Sequence, residues 1–373
     1  MADLTGHPQL HRLLGRVPRR LFAVAAVASV AALAASAHAG SAPTPTLAQL
    51  VGQHLLVRMQ GSNPSPSFLR RIRKGQVGGV VLFQNNATAA QVPVLVAKLQ
   101  AAAHAGGQLP LLIAVDQEGG VVKRLPGPPS LSPSGMTTAA LARAQGLSTG
   151  RYLHGLSVNA DLAPVLDVPA SMSAFISSRA FSTSASLVGS RGVAFAKGLL
   201  AAGVVATAKH FPGLGRLTES TDYAPATVSA SKAALARDLL PFKRAIADGV
   251  PAIMVGTAIY PAYGDDIPAA YSPAIVTKLL RDTLDFQGVV LSDDLDTAGV
   301  WGRIPPPQAA VQAVKVGGDM VYIAGVNGSG GDAIGEEAYA ALLRAAKDGT
   351  ISEAALQASY ARIAALKQRW MSG

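Results

Sequence analysis

The 373-residue sequence predicts a single-domain α/β fold, a (β/α)8 barrel of the TIM type. Three observations carry this prediction. Eight short runs rich in Val, Ile and Leu recur along the chain. Longer Ala- and Leu-rich segments of helical period separate most of them. Charged residues gather at the C-terminal ends of the runs, and in a barrel those ends share one rim where active sites are built. A doubly wound open sheet is the competing architecture. It normally uses fewer strands, and no Gly-x-Gly-x-x-Gly turn follows the first run.

Residues 1–39 read as an export segment. "HRLLGRVPRR" is basic, "LFAVAAVASVAALAASA" is apolar, and "AHA" at Ala37–Ala39 offers a small-x-small cleavage site. The apolar run is almost long enough to span a bilayer, so a retained N-terminal anchor stands beside a cleaved signal. Either way an extracellular or cell-envelope location is expected. Residues 40–46, "GSAPTPT", form a linker. The barrel is expected over 47–373, with no internal boundary or repeat.

The predicted strands follow in order: "HLLVRM" (His54–Met59), "VGGVVLF" (Val77–Phe83), "LPLLIAVD" (Leu109–Asp116) and "ADLAPVLDV" (Ala160–Val168). Next come "VVATAKHF" (Val204–Phe211), "PAIMVG" (Pro251–Gly256), "GVVLSDD" (Gly288–Asp294) and "MVYIAG" (Met320–Gly325). They are nearly all-apolar rather than alternating, as strands covered on both faces must be. Of the intervening helices, "SKAALARDLLPFKRAIADG" is framed by a Ser cap and a terminal Gly.

Apolar residues make up 49% of the chain, which is enough for a large core. The absence of cysteine excludes disulfides, thiolate zinc sites, iron–sulfur clusters and thiol catalysis. Net charge is +10, and because the leader carries four Arg and one Asp the remainder keeps +7. An exported basic protein is attracted to an anionic envelope. Nucleic acid is not expected as a partner, because the cations are dispersed and aromatics are sparse. A monomer is expected.

No His-Glu-x-x-His, EF-hand, Gly-x-Ser-x-Gly or P-loop pattern occurs, so no metal or cofactor is predicted. What remains is carboxylates, bases and donors at strand ends. Asp293 in "GVVLSDDLDTAGV" ends an apolar run, where a carboxylate is costly unless it is solvated, hydrogen-bonded or used. It is a candidate nucleophile, and a helix cap explains it equally well. Asp294 and Asp296 read as braces of the following loop. Asp116 and Arg124 in "AVDQEGGVVKRL" pair an acceptor with a donor, suited to a polyhydroxylated ligand or to a structural salt bridge. Asp167, Lys209, His210 and Thr257 lie at further strand ends, and Arg179 lies on a loop. Two proton-active groups flanking a bond are the equipment of a glycosidase.

These segments resemble the N-terminal barrel domain of glycoside hydrolase family 3. The ordered set is "GGVVLF", "AVDQEGG", "LAPVLDV", "RAF", "KHFPG", "DLLPFKRAI", "AIYPAY" and "GVVLSDDL". Within the family the chain is most similar to single-domain bacterial β-N-acetylhexosaminidases that trim cell-wall muropeptides. The resemblance implies that Asp293 is the nucleophile. It implies that Asp116, Arg124, Arg179, Lys209 and His210 hold the terminal sugar, an N-acetylglucosamine unit of a glycan.

The stretch "KHFPGLGRLTESTDYAPA" departs from the family. There the motif continues "KHFPGHG" and then Asp-Ser-His, whose His is the general acid/base. Here Leu214 replaces the second His, and Ser220-Thr221-Asp222 replaces the dyad. No histidine follows His210. Asp222 can take over proton transfer with the nearby anion Asp293 raising its pKa, Glu219 or another residue can supply the proton, or no acid exists. The expectation is an exported, retaining exo-β-N-acetylhexosaminidase with Asp293 and Asp222 as catalytic residues. The alternatives are a catalytically impaired glycan-binding barrel and a β-glucosidase-type specificity.

Overall fold

All eight apolar runs become strands of one closed barrel. The computed structural model describes residues 45–371, apart from 60, 84, 85, 87 and 326–330. The expected leader at 1–39, with 40–44 of the expected linker, lies outside the described residues. In chain order the strands are β1 (Leu55–Arg58), β2 (Gly79–Leu82), β3 (Leu112–Val115), β4 (Gln117–Gly119) and β5 (Val122–Lys123). They continue with β6 (Ala160–Asp161), β7 (Val205–Phe211), β8 (Ala252–Val255), β9 (Val289–Asp294) and β10 (Met320–Ile323). β4 and β5 form a separate antiparallel hairpin. The other eight are parallel and run β1-β2-β3-β6-β7-β8-β9-β10 around the barrel. Leu55 of β1 pairs with Val321 of β10, and this closing pair excludes the open sheet.

Both faces of each strand are covered, so both are apolar. In β1, Leu55 and Val57 belong to the outer layer shared with the helices, and Leu56 to the barrel interior. Val81, Leu112, Val205, Leu291 and Met320 fill that interior with it. Burying each such aliphatic side chain contributes about 1.5–3 kcal/mol. The C-terminal helix Glu353–Met371 closes the N-terminal end of the barrel. Its Ile363 and Leu366 join the interior cluster. Its Lys367 donates to Gln53 Oε1 and to the Gly78 carbonyl, each at 2.7 Å.

Local sequence sets the helix borders. Thr46 starts helix Leu47–Gln53 by accepting from Gln49 N, while Gln49 Oε1 accepts from Thr46 N in return. Helices Ala139–Gly155 and Ala185–Ala201 approach closely because glycine faces backbone: a Cβ on Gly146 would lie 2.1 Å from the Phe195 carbonyl oxygen.

Two expectations need correction. Residues 231–249, read as one helix, are two: Lys232–Asp238 and Leu240–Ala247. Ser231 caps the first, but Pro241 has no N–H to continue the ladder, and the chain restarts there. The run 160–168 pairs as a strand only at Ala160 and Asp161, with one further bridge from Val165 to Lys209. Pro164 interrupts the donors, although its carbonyl still accepts from Lys209 N at 3.0 Å. Among the described residues no helix is long and apolar enough to cross a membrane.

Candidate active site

The strand ends meet around a cavity of about 190 Å3. The seven residues given catalytic or sugar-holding roles from the sequence all line it: Asp116, Arg124, Arg179, Lys209, His210, Asp222 and Asp293; Glu219, offered as another proton source, does not. They come from segments separated by up to 177 positions, and closure of the barrel brings them together.

The floor is an ion-paired network. β7 carries Lys209 into the barrel mouth, where its Nζ donates to Asp116 Oδ1 at 2.6 Å and lies 2.7 Å from Glu118 Oε1. Glu118 accepts two bonds from Arg179, Nε to Oε2 at 2.9 Å and Nη2 to Oε1 at 2.7 Å. Such a planar fork fixes the guanidinium in position. Burial alone would push Glu118 up, but Arg179 and then Lys209 hold its carboxyl well below the usual range. Burial would likewise lower Lys209, and the carboxylates of Asp116 and Glu118 reverse this and raise it. His210 Nδ1 lies 2.7 Å from Asp167 Oδ2, and Asp167 Oδ1 accepts from Leu214 N at 2.6 Å. Asp167 therefore positions the imidazole and the turn after it. Arg124 Nε stands 3.7 Å from Asp116 Oδ2, and its guanidinium lies 5.1 Å from the centre of the Phe83 ring.

β9 delivers the two aspartates. Asp293 opens into the cavity, and its Oδ1 accepts from Asp294 N at 2.8 Å. Removal from water pushes its pKa up; His210 opposes this, and the charge of Asp222 adds to it. Asp294 does brace its loop: its Oδ1 accepts from Asp296 N at 3.0 Å and from Ala324 N at 2.9 Å. Its Oδ2 is buried without a partner, and burial pushes the group up to about 8. Asp296 accepts from the Trp301 indole.

Asp222 sits at the mouth on an exposed loop. Its backbone N donates to Ser220 Oγ at 3.2 Å. Its carbonyl accepts from Ala298 N at 3.2 Å, and that of Thr221 from Gly299 N at 3.0 Å. The loop is thus docked on the short helix Ala298–Trp301, which follows β9. Leu214, where the family has histidine, is buried and lines the cavity.

Sequence reasoning missed Glu118, Asp161 and Tyr322 as members of the site. Glu118 stands in the quoted "DQEGG", and the signal was there: a second carboxylate two residues from Asp116 before a glycine pair. Asp161 lies beneath the network, accepting from Gln117 N at 3.0 Å, and burial raises it to about 8. Tyr322 lines the cavity from β10. Larger cavities of about 600, 400 and 610 Å3 lie beneath Trp370, beside Phe286 and beside Tyr271, and none gathers more than one carboxylate. Among the described residues no group of three or more His, Cys, Asp or Glu is disposed to hold a metal ion.

Residues 46–366 match the model of the glycosyl hydrolase family 3 N-terminal domain. An uncharacterized secreted glycosyl hydrolase of Arthroderma benhamiae is 35% identical over 335 residues, covering 87% of this chain and 94% of that one. A family 3 β-N-acetylglucosaminidase from Paenibacillus sp. superposes with a TM-score of 0.83 at 35% identity, over 87% of this chain; the match spans 63% of that protein's length. A β-N-acetylhexosaminidase from Beutenbergia cavernae superposes at 0.79 with 33% identity, over 87% of this chain and 99% of that one. Family model, identity and superposition agree with the pocket just described, and the chain belongs to glycosyl hydrolase family 3, through that family's N-terminal domain.

Proposed function

We propose that this chain is a retaining exo-β-N-acetylhexosaminidase, exported to the cell envelope or beyond, that removes terminal β-linked N-acetylglucosamine from glycans such as cell-wall fragments. The observation that carries the proposal is the pairing of Asp293 and Asp222 across a cavity with room for one sugar ring. Two carboxyl groups flanking an anomeric centre are what retaining hydrolysis requires. Asp116, Arg124, Arg179, Lys209 and His210 hold the ring's polar groups. The network among them is already formed, so binding does not have to order it.

The chemistry then runs in two displacements. Asp222 gives its proton to the glycosidic oxygen as Asp293 Oδ attacks the anomeric carbon, and the leaving sugar departs as an alcohol. Asp222, now a carboxylate, takes a proton from water, which attacks the same carbon and releases Asp293. Burial works against the ionised form of Asp293 that the first step needs, and His210 and Lys209 oppose that effect. The names of the relatives support the sugar and the linkage. The leader read at 1–39, the linker at 40–46 and the catalytic barrel at 47–373 complete the proposed organisation.

One observation favours the second reading, an impaired glycan-binding barrel: among the described residues no hydrogen bond holds the Asp222 carboxylate, so nothing orients the acid. Aryl β-N-acetylglucosaminides with good and poor leaving groups separate the two. Asp293→Asn abolishes cleavage of both. Asp222→Asn lowers turnover of the poor leaving group by about 10²–10⁴-fold and spares the good one. If the wild type binds N-acetylglucosamine but cleaves neither substrate, the hydrolase reading fails.

A further inference from the structure

The cavity takes one ring, so the second ring of a glycan must lie outside it. Three strongly exposed apolar side chains stand on loops around this mouth: Tyr223 (83%), Met172 (80%) and Val121 (71%). Each neighbours the lining. Val121 precedes Val122, Met172 is three residues before Phe175, and Tyr223 follows Asp222. Backbone bonds hold two of these loops. Ala170 N donates to Gly215 O at 2.8 Å, and Phe175 N to Leu217 O at 3.2 Å. Ala298 N and Gly299 N hold the carbonyls of Asp222 and Thr221, and Tyr223 N donates to Ser220 O at 3.2 Å. The backbone at Tyr223 is therefore fixed while its ring is left in water.

An exposed aromatic ring gains most from a flat partner with an apolar face, and the C–H face of a pyranose is one. The proton donor must reach the glycosidic oxygen, so the ring that leaves lies beside Asp222 and within reach of the next residue. We propose that Tyr223 is the platform for the leaving-group sugar, and that it sets a preference for aglycones that are themselves pyranose rings. This assignment rests on the hydrolase function proposed above and deepens it.

Steady-state kinetics on N,N′-diacetylchitobiose and methyl β-N-acetylglucosaminide test it. Both need the acid, and only the first has a ring to stack. Tyr223→Ala is expected to lower the ratio of kcat/KM for the disaccharide to that for the methyl glycoside by about three- to tenfold, mainly through KM. Tyr223→Phe, which keeps the ring, restores the ratio. An unaltered ratio in Tyr223→Ala overturns the platform, because both substrates then depend on Tyr223 equally or not at all. Failure of the wild type to cleave either glycoside would sink the hydrolase function instead, and the platform with it.

Discussion

Lys209 and Lys367 are buried at opposite ends of one barrel, and they titrate in opposite directions. Burial lowers a lysine pKa, and for Lys367 it does so to about 7. Lys209 is just as buried, yet it is raised above its ordinary value. The difference lies in the partners. Lys209 has two carboxylates at 2.6 and 2.7 Å. Lys367 has an amide oxygen and a backbone carbonyl. The C-terminal mouth keeps its charges as charges, so that they can meet a polar ligand. The N-terminal end uses a lysine as a hydrogen-bonding plug that is easily discharged.

Three substitutions bear on that contrast, from the largest expected effect to the smallest. Lys209→Met leaves Asp116 and Glu118 with one cation fewer in a buried site. Breaking a buried pair costs about 3–5 kcal/mol, so urea unfolding is expected to shift by that amount, with loss of sugar binding. A shift no larger than that of Lys367→Met would erase the distinction between the two ends.

Asp222→Asn probes the mouth itself. Burial raises Asp293 and the charge of Asp222 adds to it. Attack needs Asp293 ionised, so on substrates with good leaving groups, which do not need Asp222 protonated, the acidic limb of kcat/KM lies above the ordinary Asp value. Removing that charge moves the limb to lower pH on substrates with good leaving groups. A stationary limb would mean that the two carboxylates do not communicate.

Lys367→Met has the smallest expected effect, within about 1–2 kcal/mol, and its signature is in the pH dependence. A lysine with depressed folded pKa binds fewer protons folded than unfolded between about 7 and its unfolded value. Wild-type stability should therefore rise with pH from about 7 towards the unfolded lysine value of about 10.4. In Lys367→Met this component of the rise disappears, and activity is retained. Lys209 behaves oppositely: its stabilising pair is intact below the unfolded value and is lost only above it. Chemical denaturation at pH 6, 8 and 10 measures the Lys367 component, and a further point above the unfolded lysine value measures that of Lys209.

The strand ends were legible because a charge at the end of an apolar run is conspicuous. Asp116, Lys209, His210 and Asp293 stand out on that ground alone. Glu118 does not, because it follows its strand inside a glycine turn, where a carboxylate reads as solvated. Its burial is visible only once β4 and β5 fold over the mouth. Asp161 escaped because the run around it reads as an unbroken strand. The division of 231–249 by Pro241 was written in the sequence and outweighed by the helical period on either side.

The sequence by itself determined the barrel, through eight both-faces-apolar runs, and the departure from the family at Leu214, Ser220 and Asp222. Those are local facts, since residue type and spacing act over a few positions. Only the tertiary structure decided that Glu118 joins Lys209 to Arg179, that the charge of Asp222 reaches Asp293, and that Tyr223 stands bare beside them. Contacts between loops far apart in the chain depend on barrel closure, and no spacing along one segment encodes them.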